Sequence, residues 1–263
     1  MTQNQLQILV TNDDSFLSKG IMTLSEILSA YGNVTVVAPK EVQSGMSAAL
    51  TLTRPLRLAK EFEKECANGN FIKVYSFTGT PDDCVKIAMN EFFLETKPDM
   101  LVSGINHGSN ASVASVYSGT LGATAEGAIY GVPSMGVSID THNPDADFSA
   151  VTEYLPKIIG NFISNPPKKG VYLNINFPKG GTEAVKGIKF AKQGEGMWIK
   201  EFDKRTDPHG REYYWMTGHF NDTETDMSGD HKVVADGYIS IVPHNIDTTN
   251  YQEMERLQNC WQL

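Results

Sequence analysis

The stretch ILVTNDDS, Ile8 to Ser15, is where the reading of the fold begins. Ile8, Leu9 and Val10 form a short apolar run, and Thr11 leads it into the turn formers Asn12, Asp13 and Asp14. Such a run bounded by polar turn residues reads as a buried strand. The helical period that follows, with Ile21, Leu24, Ile27 and Leu28 on one face of Gly20–Tyr31, makes it the first half of a βα unit. Gly32 is then expected to release that helix at positive φ.

The same alternation continues outward. Strands are predicted near Gln7–Thr11, Val34–Ala38, Ile72–Phe77, Met100–Ser103, Ser134–Ile139 and Val171–Phe177. A helix opens at Thr80, with Pro81 at its first position and Asp82 and Asp83 in its first turn, where acidic groups favour the helix dipole. The run SGTLGATAEGAIYG from Ser118 predicts a Gly- and Ala-rich helix lying close against the sheet. The expected class is α/β with a mostly parallel sheet. From about Gly194 the texture turns polar and aromatic, and TDPHG between IKEFD and REYYWM predicts a protruding hairpin. With no repeat and no long linker, residues 1–263 read as one domain. Its core runs to about residue 193, and a hairpin and C-terminal arm occupy about 194–263.

Bulk composition narrows the function. Lys and Arg number 22 against 31 Asp and Glu, a net charge of −9, which repels polyanions and argues against a nucleic-acid polymer as partner. No apolar stretch approaches the roughly 20 residues that span a bilayer, so no membrane role is expected. The opening MTQNQLQ lacks the features of a secretory segment, and the expected location is the cytoplasm. Cys66, Cys84 and Cys260 form no CxxC pair, which suggests neither a disulfide framework nor a thiolate metal site.

Three loops carry the chemistry. Asp13 and Asp14 follow the first strand, Ser44 follows the second, and Asn106 follows the strand that starts at Met100. All lie beyond strand carboxyl ends, where open α/β sheets bind ligands. Two carboxylates, a hydroxyl and an amide carbonyl form a hard-oxygen set suited to one Mg²⁺ or Mn²⁺. In SGINHGSNASVASVYSGT, Gly104, Gly108 and Gly119 permit close approach, while Asn106, Asn110, Ser118 and Thr120 present small polar groups able to surround a phosphate. If Ser118 starts the helix, the amides of Gly119 and Thr120 point at an anion. Taken singly, Asn12-Asp13-Asp14 and Ser44-Gly45 are more often turn or capping chemistry than metal ligands, and only the Ser118 segment is as much a phosphate cradle as a simple helix cap. His107 reads as an ordinary loop side chain and is not assigned to the site. Asp82 and Asp83 either favour the helix dipole or line the pocket. Trp198, Tyr213, Tyr214 and Trp215 suit packing or subunit contact better than base binding.

In order, the motifs LVTNDDS, APKEVQSG, GTPDDCV, SGINHGSN and YSGTLGATAEG closely resemble those of the SurE family, the survival-protein-E nucleotidases. The resemblance spans about Ile8 to Ile139 and continues more weakly through YLNINFP and GYISIVPHNIDTT. It implies a Rossmann-like three-layer core and a divalent metal on Asp13, Asp14, Ser44 and Asn106. It also implies hydrolysis of nucleoside 5′- and often 3′-monophosphates by homodimers or homotetramers with exchanged C-terminal arms. One departure is Ala111-Ser112 after Asn110, where a glycine is expected. On this reading Asp13, Asp14 and Asn106 are the catalytic groups, and Asn110, Ser118, Gly119 and Thr120 hold the phosphoryl group. Two competing readings are a nucleotide-binding regulatory protein without turnover and a receiver-like Mg²⁺-binding module. The strand ending in Phe77-Thr78-Gly79 offers the latter no acceptor Asp.

Overall fold

A computed structural model describes residues 5–262. The reading of MTQNQLQ therefore falls partly on residues 1–4, outside the described range. In chain order the elements are β1 (Leu6–Thr11), α1 (Lys19–Leu28), β2 (Gly32–Pro39), β3 (Leu58–Glu65), β4 (Phe71–Phe77), α2 (Pro81–Glu91), β5 (Met100–His107), α3 (Gly119–Ile129), β6 (Ser134–Ile139), α4 (Ser149–Ser164) and β7 (Val171–Phe177). There follow β8 (Gly187–Phe190), β9 (Met197–Ile199), β10 (Phe202–Thr206), β11 (Glu212–Met216), β12 (His219–Asn221), α5 (Asp230–Ala235), β13 (Tyr238–Asn245) and α6 (Tyr251–Cys260).

Nine strands form one sheet in the order β3-β4-β2-β1-β5-β6-β7-β13-β8. Every pairing is parallel except β3 with β4 and β13 with β7. Helices cover both faces, which gives the expected three layers. Ile21, Leu24 and Leu28 of α1 and Leu155, Ile159 and Phe162 of α4 share one apolar cluster, while Val85, Ala88 and Met89 of α2 and Ala123 of α3 share the other. Burial of these side chains away from water is what holds the layers together.

The chain leaves β1 toward β2 on one side and returns to β5 on the other, so β1 and β5 flank the point where strand order reverses. A ligand crevice forms at such a point. β5 runs to His107, beyond its expected end at Ser103, because its pairing with β6 shifts between Gly104 and Asn106. Gly104 sits at φ +139, and a Cβ there would lie 2.3 Å from the Val137 carbonyl oxygen, so only glycine fits. The bulge leaves Ile105 in the core and carries Asn106 to the sheet's edge.

Other expectations need correction. Gly32 does not close α1 at positive φ; α1 ends at Ser29 in right-handed geometry, and Gly32 opens β2 instead. Its requirement is close approach, since an added Cβ would lie 2.1 Å from the Leu6 carbonyl oxygen. The boundary near residue 193 is also too early, because β13 re-enters the sheet between β7 and β8. The hairpin itself is present as β10 and β11, pairing Phe202 with Met216 through Thr206 with Glu212.

Candidate active site

Asp13 stands immediately beyond β1 with its side chain buried. Thr120, in the first turn of α3, donates its hydroxyl to Asp13 Oδ1 at 2.7 Å. A Cβ added at Gly119 would lie 3.2 Å from Asp13 Oδ2, so that oxygen faces the helix start at close range. Burial pushes the Asp13 carboxyl up to about 6, with the Thr120 hydroxyl opposing the shift and the neighbouring Asp14 charge adding to it. A buried carboxylate beside a second carboxylate, without a cationic side chain on it, is suited to neutralisation by a metal ion.

Asp14 accepts the His107 backbone N–H at 3.0 Å through Oδ2, and His107 Nδ1 lies 3.1 Å from the same oxygen. One oxygen of each carboxylate is therefore held by the protein, and the other is left open. Asn106 donates its side-chain nitrogen to the Gly108 carbonyl at 2.8 Å, which frees its Oδ1. Ser44 is exposed, and its loop is tied in one residue earlier, where the Gln43 N–H donates to the Asp13 carbonyl at 2.7 Å. Among the described residues no group of three or more His, Cys, Asp or Glu side chains is placed to hold a metal. A cation here would rest on two carboxylates and the neutral oxygens of Ser44 and Asn106, a donor set that fits Mg²⁺ or Mn²⁺.

Ser118 caps α3, accepting the Leu121 N–H at 3.1 Å, so the amides of Gly119 and Thr120 are unused by the helix and sit beside Asp13.

The family model for Survival protein SurE matches residues 8–200. The chain belongs to the SurE family. It is 42% identical over 258 residues to the 5′-nucleotidase SurE of Cytophaga hutchinsonii, covering 97% of each chain. It is 43% identical over 263 residues to that of Christiangramia forsetii, covering 100% of this chain and 99% of the relative. The crystal structure of the SurE protein from Aquifex aeolicus superposes with a TM-score of 0.79 at 32% identity, covering 97% of this chain and 99% of that one.

Within this SurE fold several roles differ from those the sequence suggests. The Asn110 side chain turns to the sheet, donating to Ser138 Oγ at 2.8 Å, while its backbone N–H donates to Asn176 Oδ1 at 2.8 Å and its carbonyl accepts from Asn174 at 2.9 Å. Two asparagines at alternate positions of an apolar strand, Asn174 and Asn176, were the available signal for this anchor. Thr120 spends its hydroxyl on Asp13, and its backbone amide also favours that carboxylate. His107 sits against Asp14, where no motif placed it. Asp83 closes a capping box with Thr80 and also accepts the Thr51 N–H at 3.2 Å. Asp82 is buried against α3, where a Cβ at Gly122 would lie 2.7 Å from its Oδ1.

Where a glycine was expected, Ser112 adopts φ +58. Its left-handed backbone is held by its N–H donating to Asp230 Oδ1 at 2.9 Å and its Oγ lying 2.7 Å from His231 Nδ1.

Proposed function

We propose that this chain is a 5′-nucleotidase that hydrolyses nucleoside 5′-monophosphates, and 3′-monophosphates as well, using one Mg²⁺ or Mn²⁺ on Asp13, Asp14, Ser44 and Asn106. The activity rests on membership of a family whose relatives above are 5′-nucleotidases across nearly the whole chain. The geometric observation that carries it is the contact of Asp13 with the start of α3. One spot joins a buried carboxylate to the first turn of α3, where the Gly119 amide is unused by the helix.

A divalent cation held by Asp13, Asp14, Ser44 and Asn106 would supply charge stabilisation for phosphoryl transfer. The protein's own groups position the ester. The Gly119 amide, the Ser118 hydroxyl and the α3 turn at Thr120 would hold phosphoryl oxygens, aided by the helix dipole. Asn110 fixes the loop that follows Asn106 by tying it to β6 and β7. Thr120 and His107 keep Asp13 and Asp14 in single orientations, which limits reorganisation during turnover.

Replacing Asp13 or Asn106 by alanine is expected to abolish most metal-dependent phosphate release, by 10²-fold or more on the order of magnitude of a lost charge-stabilising group, with circular dichroism unchanged. A folded Asn106→Ala protein with full activity would refute the assignment.

No described helix is long and apolar enough to cross a membrane. The free thiols of Cys66, Cys84 and Cys260 suit a reducing compartment, and action in the cytoplasm is the reading we adopt. The exposed C-terminal helix α6 supports a homodimer or homotetramer joined by exchanged arms.

A further inference from the structure

A cavity of about 410 Å³ opens beside the loop that follows β5. Ser109 and Ala111, on either side of Asn110, form part of its floor, and Asp140 and His142 beyond β6 form another part. It shares the carboxyl edge of the sheet with the candidate active site. The link between them is direct. Asn106 donates to the Gly108 carbonyl, and the His142 ring lies over Gly108 so closely that a Cβ there would be 2.5 Å from it.

The far wall is aromatic. Trp198 of β9 and Phe220 of β12 are directly opposed across an antiparallel pair, with ring centroids 6.2 Å apart in an edge-to-face arrangement. The His231 ring continues the row 5.5 Å from Phe220. Trp198 is 45% exposed, so much of its indole is uncovered.

This wall is fastened to the loop after Asn110 rather than hanging free. His231 meets Ser112, the Val113 N–H donates to the Gly196 carbonyl at 3.3 Å, and Asp230 Oδ1 accepts both the Ser112 and the Gly194 amides. Gly196 permits the arrangement, because a Cβ there would lie 2.2 Å from Phe220 Cζ.

We infer that this cavity is the nucleoside subsite of the enzyme, with Trp198 stacking on the base and Asp140 accepting from the ribose hydroxyls. The inference rests on the nucleotidase reading above and assigns the part of the substrate that the phosphate site does not hold. Aromatic faces bind any base through its π surface, and a carboxylate is a fitting acceptor for a ribose diol. The volume lies within the range of small-ligand sites. Lys232, the one lysine lining the cavity, is paired with Asp222 at 2.9 Å.

The test uses the full chain. Adenosine, which needs neither metal nor turnover, is titrated calorimetrically into the wild type, Trp198→Ala and Trp198→Phe, each checked by circular dichroism. The expected result is adenosine binding by the wild type, weakened on the order of tenfold in Trp198→Ala and largely restored in Trp198→Phe. In parallel, the preference for AMP over ribose 5-phosphate, as a ratio of kcat/KM values, is expected to fall by a similar factor in Trp198→Ala. No adenosine binding by the wild type, equal binding by Trp198→Ala, or an unchanged preference would overturn the assignment. Adenosine binding that depends on Trp198 in a protein that releases no phosphate from AMP would retain the subsite and place the fault in the nucleotidase reading.

Discussion

Asp82 and Asp13 are both buried carboxylates, but Asp13 receives a hydroxyl hydrogen bond whereas Asp82 Oδ1 has no partner among the described residues. Burial pushes Asp82 up to about 7, the nearby Glu126 charge adds to the shift, and Lys86 opposes it. A carboxyl whose folded value lies above its ordinary 3.8 binds more protons folded than unfolded between those two values. Stability therefore falls as pH rises through that window and stays low above it, by on the order of 2–4 kcal/mol. Asp82→Asn removes this dependence. In urea unfolding of the metal-free protein, the stability of Asp82→Asn relative to the wild type is expected to grow from pH 4 to pH 8. Asp13 titrates in the same direction in both proteins and cancels from the comparison. A difference that stays flat across that range would contradict the account of Asp82.

Among the elements, α2 and α3 were the most legible, because their start signals are local: Thr80-Pro81-Asp82-Asp83 makes its own cap, and Ser118 caps α3 as expected. β3 was not legible. Seven of the eight residues in LAKEFEKE are exposed, so the edge strand has no apolar face to betray it. The aim of Asn106 was hidden for a different reason, since the bulge that directs it is set by the register with β6 rather than by its neighbours in sequence. The clasp between the loop after β5 and α5 is likewise long-range. Asp230 Oδ1 accepts three amides, from Ser112 at 2.9 Å, Gly194 at 3.0 Å and His231 at 2.9 Å. Asp230→Ala leaves all three without that acceptor and is expected to destabilise the protein by about 2–4 kcal/mol. Hydrogen exchange should speed up in Ser112–Tyr117 and in β9 and β12, and unchanged exchange there would show that the clasp does not hold the aromatic wall.

At the scale of the whole molecule, a mostly parallel sheet with its ligand edge beyond the strand carboxyl ends follows from the strand pattern alone, whereas the strand order and the return of β13 between β7 and β8 do not, because nothing local encodes a partner tens of residues away. The far end of the chain remains unpartnered. α6 has no buried residue, and Met254, Leu257 and Trp261 line a cleft of about 330 Å³ along it. A ten-residue helix is marginal alone in water, and the proposed arm exchange would give its apolar side chains a surface to pack against. Ending the chain at Asn250 is expected to lower the sedimentation coefficient from that of an oligomer to that of a monomer, and a full-length chain that already sediments as a monomer would contradict arm exchange. On the proposed assignment, Asp13, Asp14, Ser44 and Asn106 hold a divalent metal beside the start of α3 and nucleoside monophosphates are hydrolysed there. That assignment is tested most directly by phosphate release from AMP after EDTA treatment, with and without added Mg²⁺ or Mn²⁺. The account predicts no release without metal, restoration by one of the two ions, and no restoration in Asp13→Ala; release that persists without metal, or full restoration in Asp13→Ala, would contradict it.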